Sequence, residues 1–285
     1  MGLYELVKRL GDIEALDQVA GPMSGTVRKV IGRGPVKDVL SGAGLGHPLH
    51  PMLTDVPIGA YTASVVLDLV GRGRYDGASE ALLTSGILAT LPTAASGLSD
   101  WSETYGEDKR VGVVHAVGNV TALSLFTASL VLRRSGRRGL GRGLGLAAFA
   151  VLAGGGYLGG YLSFARGVGV NHAMTEHPPT DWTPVLGESE LSEGTPARAE
   201  ANGASVLLYR QGGRILAIGA TCSHAGGPLE EGKILDEDGL CVECPWHQSV
   251  FRLEDGGVVH GPATVPQAAY DVRVQQGKIE VRARS

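Results

Sequence analysis

The sequence predicts a chain of two unlike halves: an all-α, four-helix transmembrane bundle, followed by a small all-β domain. Three observations carry this. Four apolar stretches of near-membrane length recur before residue 175, and none follows. From about residue 180 onward, short segments rich in β-branched residues alternate with Gly, Asp and Pro turns. Charged residues make up 19% of the 285 positions, where about 25% is usual for a soluble protein. A membrane part averaged with a soluble part gives that value.

Residues 1–50 read as an amphipathic, interfacial segment. The opening MGLYELVKRLGDIEALDQVA carries acids and lacks an apolar core, so it is not a cleavable signal peptide. The transmembrane part is read over 51–170. Its approach, GLGHPLHPMLTDVPIG (44–59), holds two His-Pro dipeptides. Each proline biases its histidine away from helix, which predicts a rigid extended lead-in. The spans are 56–71, reaching back to about Pro51, then 81–98, 111–132 and 143–164. Each is close to the about 20 residues that cross a bilayer. Core helices of a soluble bundle are the competing reading, but these stretches are apolar all round rather than amphipathic. Gly155/Gly159 and Gly156/Gly160 stand at small-xxx-small spacing, which suits close packing of membrane helices. Residues 171–181 form a linker, stiffened by HPPT. The β domain covers 182–285, with strands expected in ASVLLYR, RILAIGA, LCVEC, SVFRLE, AYDVRVQQ and KIEVRA.

Three cysteines give no even disulfide framework. A net charge of -4 gives no sign of a nucleic-acid partner. Cys222-Ser223-His224 and Cys244-Pro245-Trp246-His247 each offer one thiolate and one imidazole on a loop rich in Gly or Pro. A structural zinc site is one reading, although zinc fingers pair Cys with Cys and His with His. Chance placement in a core is another. The C-x-H plus C-x-x-H pattern resembles the Rieske family over roughly 182–283, and GGPLEEG, SVF and GPATVPQAAYDVRV beside it match too.

That resemblance implies a [2Fe–2S] cluster, with Cys222 and Cys244 on one iron and His224 and His247 on the other. Around it are expected Ser249, a hydroxyl donor to a cluster sulfur, together with Phe251, Trp246, Gly227 and Pro245. High-potential, quinol-oxidising members have Tyr where this chain has Phe251. They brace their loops with a disulfide at the places held here by Gly227 and Trp246. The loops are more similar to those of the ferredoxins of aromatic-ring dioxygenase systems, which implies a low to intermediate potential. Cys241 reads as a buried strand thiol.

GHPLHP, SGLSDW (96–101) and GGYLGGYLSFARGVGV (155–170) resemble an uncharacterised bacterial four-span membrane-domain family, over roughly 15–172. It implies a fold but no activity. Counting spans places His47, His50, Asp55, Asp100, His115, Asn119 and His172 on the side from which the β domain emerges. Polar groups in a membrane are functional candidates. Three readings stand: a network tying helix ends together, a quinone pocket, and a b-type haem with His115 and either His47 or His50 as ligands.

The opposite loops carry Arg72 and Arg74, then Arg133, Arg134, Arg137, Arg138 and Arg142. The positive-inside rule makes that side cytoplasmic and the β domain external on a bacterial plasma membrane. Arg137-Arg138 before the last span resembles the internal twin-arginine signals of some multi-span Rieske subunits. The expected function is one-electron transfer from a membrane quinol or haem to a partner redox protein. The alternatives are a ferredoxin-like component feeding an oxygenase, or a quinol-oxidising subunit of a respiratory complex.

Overall fold

The computed structural model describes residues 2–71, 73–236 and 238–284, which divide into two compact units. The first comprises 1–31 and 49–168, the second 32–48 and 169–285.

In the first unit, α1 (Leu3–Gly11) and α2 (Asp17–Ile31) precede four long helices, and α3 (Pro35–Ser41) belongs to the second unit. The long ones are α4 (Leu49–Gly71), α5 (Asp76–Trp101), α6 (Gly106–Arg134) and α7 (Arg138–Gly160), the last continuing through a π-turn at Tyr161–Ala165. All four are long and apolar enough to cross a membrane. Their core holds Tyr61, Leu83, Ala122, Phe126, Leu130 and Ala148. The rings of Tyr61 and Phe126 stack with centroids 3.9 Å apart. α1 and α2 are tied to the bundle: Arg110 forks onto Asp17 and onto the Gly11 carbonyl, and Lys109 reaches Ser24. Leu3, Tyr4, Leu6, Val19 and Met23 remain exposed on these two helices.

The His-Pro approach differs from expectation. α4 begins at Leu49, so His50 and Pro51 are helical. A proline in the first turn is tolerated because its missing N–H would have no acceptor there. Pro57 lies deeper in α4 and leaves the Leu53 carbonyl without its helical donor. The Thr93 hydroxyl of α5 lies 3.2 Å from that carbonyl and 2.8 Å from Ala89 O of its own helix, so the two carbonyls compete for its one proton.

A second difference concerns the arginines. Arg133, counted by sequence as a loop charge, is the last turn of α6 and is buried, forking onto Asp68 of α4 at 2.9 and 2.5 Å. Ser79 and Ser129 complete its shell. Arg138 and Arg142 face Asp76. Arg72 lies outside the described residues.

The second unit has three antiparallel sheets. One is ordered β1 (Thr183–Gly187), β10 (Lys278–Ala283), β9 (Tyr270–Gln275). Another is β2 (Ala197–Ala201), β3 (Ala204–Gln211), β4 (Arg214–Gly219). The third is β5 (Lys233–Asp236), β6 (Leu240–Glu243), β7 (Val250–Arg252), β8 (Val258–His260). Sequence reading found six of these strands' cores and missed β1, β2, β5 and β8, which are short or half-polar. The Asn202-Gly203 turn, with φ of 53° and 90°, was the available signal for the β2–β3 hairpin. Residues 32–48, assigned by sequence to an interfacial N-terminus, pack with this unit instead. So does the linker: Glu176 accepts from Thr221, and Pro179 from the Ala283 amide.

Candidate metal centre

The two ligand loops leave the ends of β4 and β6. The first is closed by Cys222 N–H to Gly227 O (2.9 Å) and Gly226 N–H to Cys222 O (2.8 Å). The second is closed by Cys244 N–H to Ser249 O (2.8 Å) and Gln248 N–H to Cys244 O (3.0 Å). Gln248 adopts φ of 63° to make that turn. Each loop is thus a small hydrogen-bonded ring that presents one cysteine and one histidine.

The four side chains converge. Cys222 and Cys244 are buried in one core cluster with Val242, Phe251 and Leu253. The rings of His224 and His247 lie edge to face, 4.8 Å between centroids. His247 is 8% exposed. Cys244 is drawn down, first by the hydrogen bond from the Cys222 thiol and then by the Trp246 and His247 amides. Cys222 is pushed up by the same contact with Cys244 and by burial. Burial, then the neighbouring His247, pushes His224 down to about 3, so its ring is neutral.

These residues fit an iron–sulfur group. His224 Nδ1 is buried and has no hydrogen-bond partner, which is costly unless a metal takes its lone pair. Two sulfur and two neutral nitrogen donors are the required set. Among the described residues no three metal-binding side chains gather around a single point. Cys222 and Cys244 form one pair and His224 and His247 the other, an arrangement that would suit two irons.

The surrounding positions sort themselves. Ser249 is fully buried and its Oγ accepts the Ala263 amide at 2.9 Å. Phe251 is a core side chain. Pro245 is exposed, and Trp246 is 53% exposed with its ring against Gly227. Cys241 is buried on β6, outside the ligand cluster. Asp38 of α3 has no counterpart in the sequence reading. It binds His260 and Gly261, beside the second ligand loop. No local pattern links positions so far apart.

The membrane-half candidates divide between the units. His47 and His172 belong to the second: His47 is exposed, and the His172 amide donates to Ser223 O at 3.0 Å. His50, Asp55, Asp100, His115 and Asn119 belong to the first. His115 Nδ1 lies 2.8 Å from the Gly155 carbonyl, and Nε2 is 2.9 Å from the Asn119 amide nitrogen. A carbonyl can only accept, so Nδ1 carries the proton and both ring nitrogens are engaged. His50 Nδ1 likewise donates to Thr93 O at 3.0 Å, and the ring lies where a Gly97 side chain would be. Asp55 is exposed.

Residues 181–273 match the family model described as the Rieske [2Fe-2S] domain, and 46–172 that of a predicted membrane protein, DUF2231. The anthranilate 1,2-dioxygenase ferredoxin subunit of Burkholderia cepacia is 35% identical over 108 residues, 38% of this chain and 97% of that protein. Ferredoxin CarAc of Metapseudomonas resinovorans is 35% identical over 101 residues, 35% of this chain and 92% of that one. Among solved structures, the ferredoxin of carbazole 1,9a-dioxygenase from Nocardioides aromaticivorans IC177 is 32% identical. It covers 36% of this chain and 98% of that one, with a TM-score of 0.34.

Proposed function

The chain belongs to the Rieske [2Fe-2S] family through its β unit and carries a DUF2231 membrane domain before it, and on that premise we propose a membrane-anchored one-electron carrier. Electrons pass from a membrane donor to a partner redox protein. The carrying observation is the paired ligand set: two thiols buried in one cluster, and two imidazoles 4.8 Å apart, with His224 Nδ1 buried and without a partner. When bound, a cluster with two histidine ligands accepts and releases single electrons at a higher potential than an all-cysteine one, because neutral imidazoles leave it less negative. The protein's part is to hold the thiolates, keep the imidazoles neutral and exclude water from the sulfur side.

The partner reading that draws most support is an oxygenase-type electron acceptor. The relatives matched over nearly their whole length are ferredoxin subunits. The cysteines of this chain are all free, so its own loops carry no bracing disulfide.

On the donor side, a quinol is better supported than haem. His115 spends both nitrogens on Gly155 and Asn119, which leaves it no lone pair for iron. His50 donates Nδ1–H to Thr93, so its Nε2 keeps a lone pair that can take a quinol proton. The arginine-rich loops support a cytoplasmic placement for the α4–α5 and α6–α7 connections, and hence an external β unit on a bacterial plasma membrane.

Redox titration of the purified protein, followed by electron paramagnetic resonance, tests the reading. It should give a Rieske-type signal whose midpoint falls in His247→Cys with the cluster kept. A midpoint unchanged by that substitution contradicts the ligand assignment. A Soret band in the optical spectrum, lost in His115→Ala, would restore haem.

A further inference from the structure

We propose that residues 32–45, which lie outside both family matches, form a strap that positions the second ligand loop, with Asp38 as its positioning residue. The inference rests on the iron–sulfur reading and adds to it a part that neither family supplies.

The strap belongs to the β unit and is fixed to it at separate points. Arg33 pairs with Glu243, the residue before ligand Cys244. The Asp38 carboxylate takes two partners at once, Gly261 N–H at 2.8 Å and His260 Nδ1 at 2.9 Å. Ser41 and Ala43 close over the same turn, each with Cβ 3.5 Å from where a Gly261 side chain would begin.

That turn leads to the cluster loop in two steps. His260 pairs with Val250 in the β7–β8 ladder, and Ala263, two residues past Gly261, donates its amide to Ser249 Oγ at 2.9 Å. Ser249 in turn closes the ligand loop through its carbonyl, which accepts Cys244 N–H at 2.8 Å. With Oγ pinned by the Ala263 amide, the Ser249 hydroxyl spends an acceptor site and keeps its proton to donate. A hydrogen bond given to a cluster sulfur favours the reduced, more negative state and raises the potential. Asp38 therefore acts on the electron carrier through a turn, not by contact.

A surface ion pair alone would be a weak argument, since such pairs contribute little. Here the carboxylate binds a backbone amide and an imidazole of one turn together, which fixes the position of that turn. An outer partner of this kind orients the group that touches the metal centre.

The test uses the full chain in detergent, with the midpoint read by electron paramagnetic resonance. The midpoint should fall from wild type to Asp38→Asn to Asp38→Ala, with the Rieske line shape kept. Ser249→Ala should fall at least as far, and adding Asp38→Ala to it should move the midpoint no further. Non-additivity of this kind marks residues acting through one another. A wild-type midpoint in Asp38→Ala overturns the proposal, as does a shift that adds in full to that of Ser249→Ala. Should Asp38→Ala fail to load iron, Asp38→Asn and His260→Asn carry the same comparison, because each leaves the other anchor in place. A wild type with no Rieske signal removes the reading beneath the proposal, and the proposal with it.

Discussion

Gly227 lies where the two ligand loops meet, and a methyl group there would come within 2.8 Å of Cys244 Sγ and 3.1 Å of the Trp246 ring. Gly227→Ala must push one of them aside, at a cost of about 1–3 kcal/mol for overpacking. On the ligand assignment proposed above, the sulfur is the part that cannot move without losing iron. The expected outcome is a folded β unit with reduced iron per protein, read by circular dichroism beside iron analysis; full loading would show that Trp246 yields instead. That Cys222, Cys244, His224 and His247 would come close was legible, because short spacing puts one cysteine and one histidine on each loop. Tyr270 was not, because its interest lies in a contact it lacks: its hydroxyl is buried with no partner. Burial, and then Glu176, raise it to about 12. The folded value lies above the unfolded one, so this group's contribution is complete below pH 10 and is lost as pH rises toward 12. Tyr270→Phe removes an unsatisfied hydroxyl and should stabilise the unit by about 1 kcal/mol. It should also flatten the decline between pH 10 and 12, which urea titrations at several pH values would reveal.

Between helices, the pair of Asp68 and Arg133 joins α4 to α6 with side chains 7% and 2% exposed. Removing one partner leaves a buried charge, so Asp68→Ala should cost about 3–5 kcal/mol, while replacing both by apolar residues costs far less. Thermal melts in detergent should show Asp68→Ala well below wild type, with Asp68→Leu/Arg133→Met recovering most of the loss. Equal melts for the two would mean that packing, not charge, sets the stability. The four long apolar helices were readable from apolar length alone, but this pair was not. Span length says nothing of which helices become neighbours, so Arg133 looked like one more loop arginine. The His-Pro approach failed for a related reason. A proline's effect on the preceding residue is a local bias, and a helix start absorbs it because the first-turn amides have no acceptors. The Thr93 hydroxyl of another helix comes within 3.2 Å of the carbonyl that Pro57 leaves without its helical donor.

For the whole chain, the change in composition near residue 175 revealed two parts, yet not that 32–48 belongs with the second. Polar pattern marks where a membrane segment ends, whereas long-range packing decides which unit a short polar stretch joins. Orientation depends on the same arginines that the structure partly redistributes. Arg133 leaves the loop count for a buried pair, but Arg74, Arg134, Arg137, Arg138 and Arg142 stay on that side, and the positive-inside rule counts residues rather than net charge. Pairing of Arg138 with Asp76 therefore does not weaken the expectation of an external β unit. The three native cysteines are buried, so a cysteine placed at exposed Lys278 gives a clean reporter. A thiol probe that cannot cross membranes should label Lys278→Cys in intact cells; labelling only after lysis would put the β unit inside. Adding Arg137→Lys/Arg138→Lys separates the two causes of that orientation. The charge is unchanged, so orientation by positive charge alone predicts the same labelling, whereas export of a folded domain through a twin-arginine signal predicts its loss. We expect the loss, because a β unit that gains iron in the cytoplasm has to cross already folded.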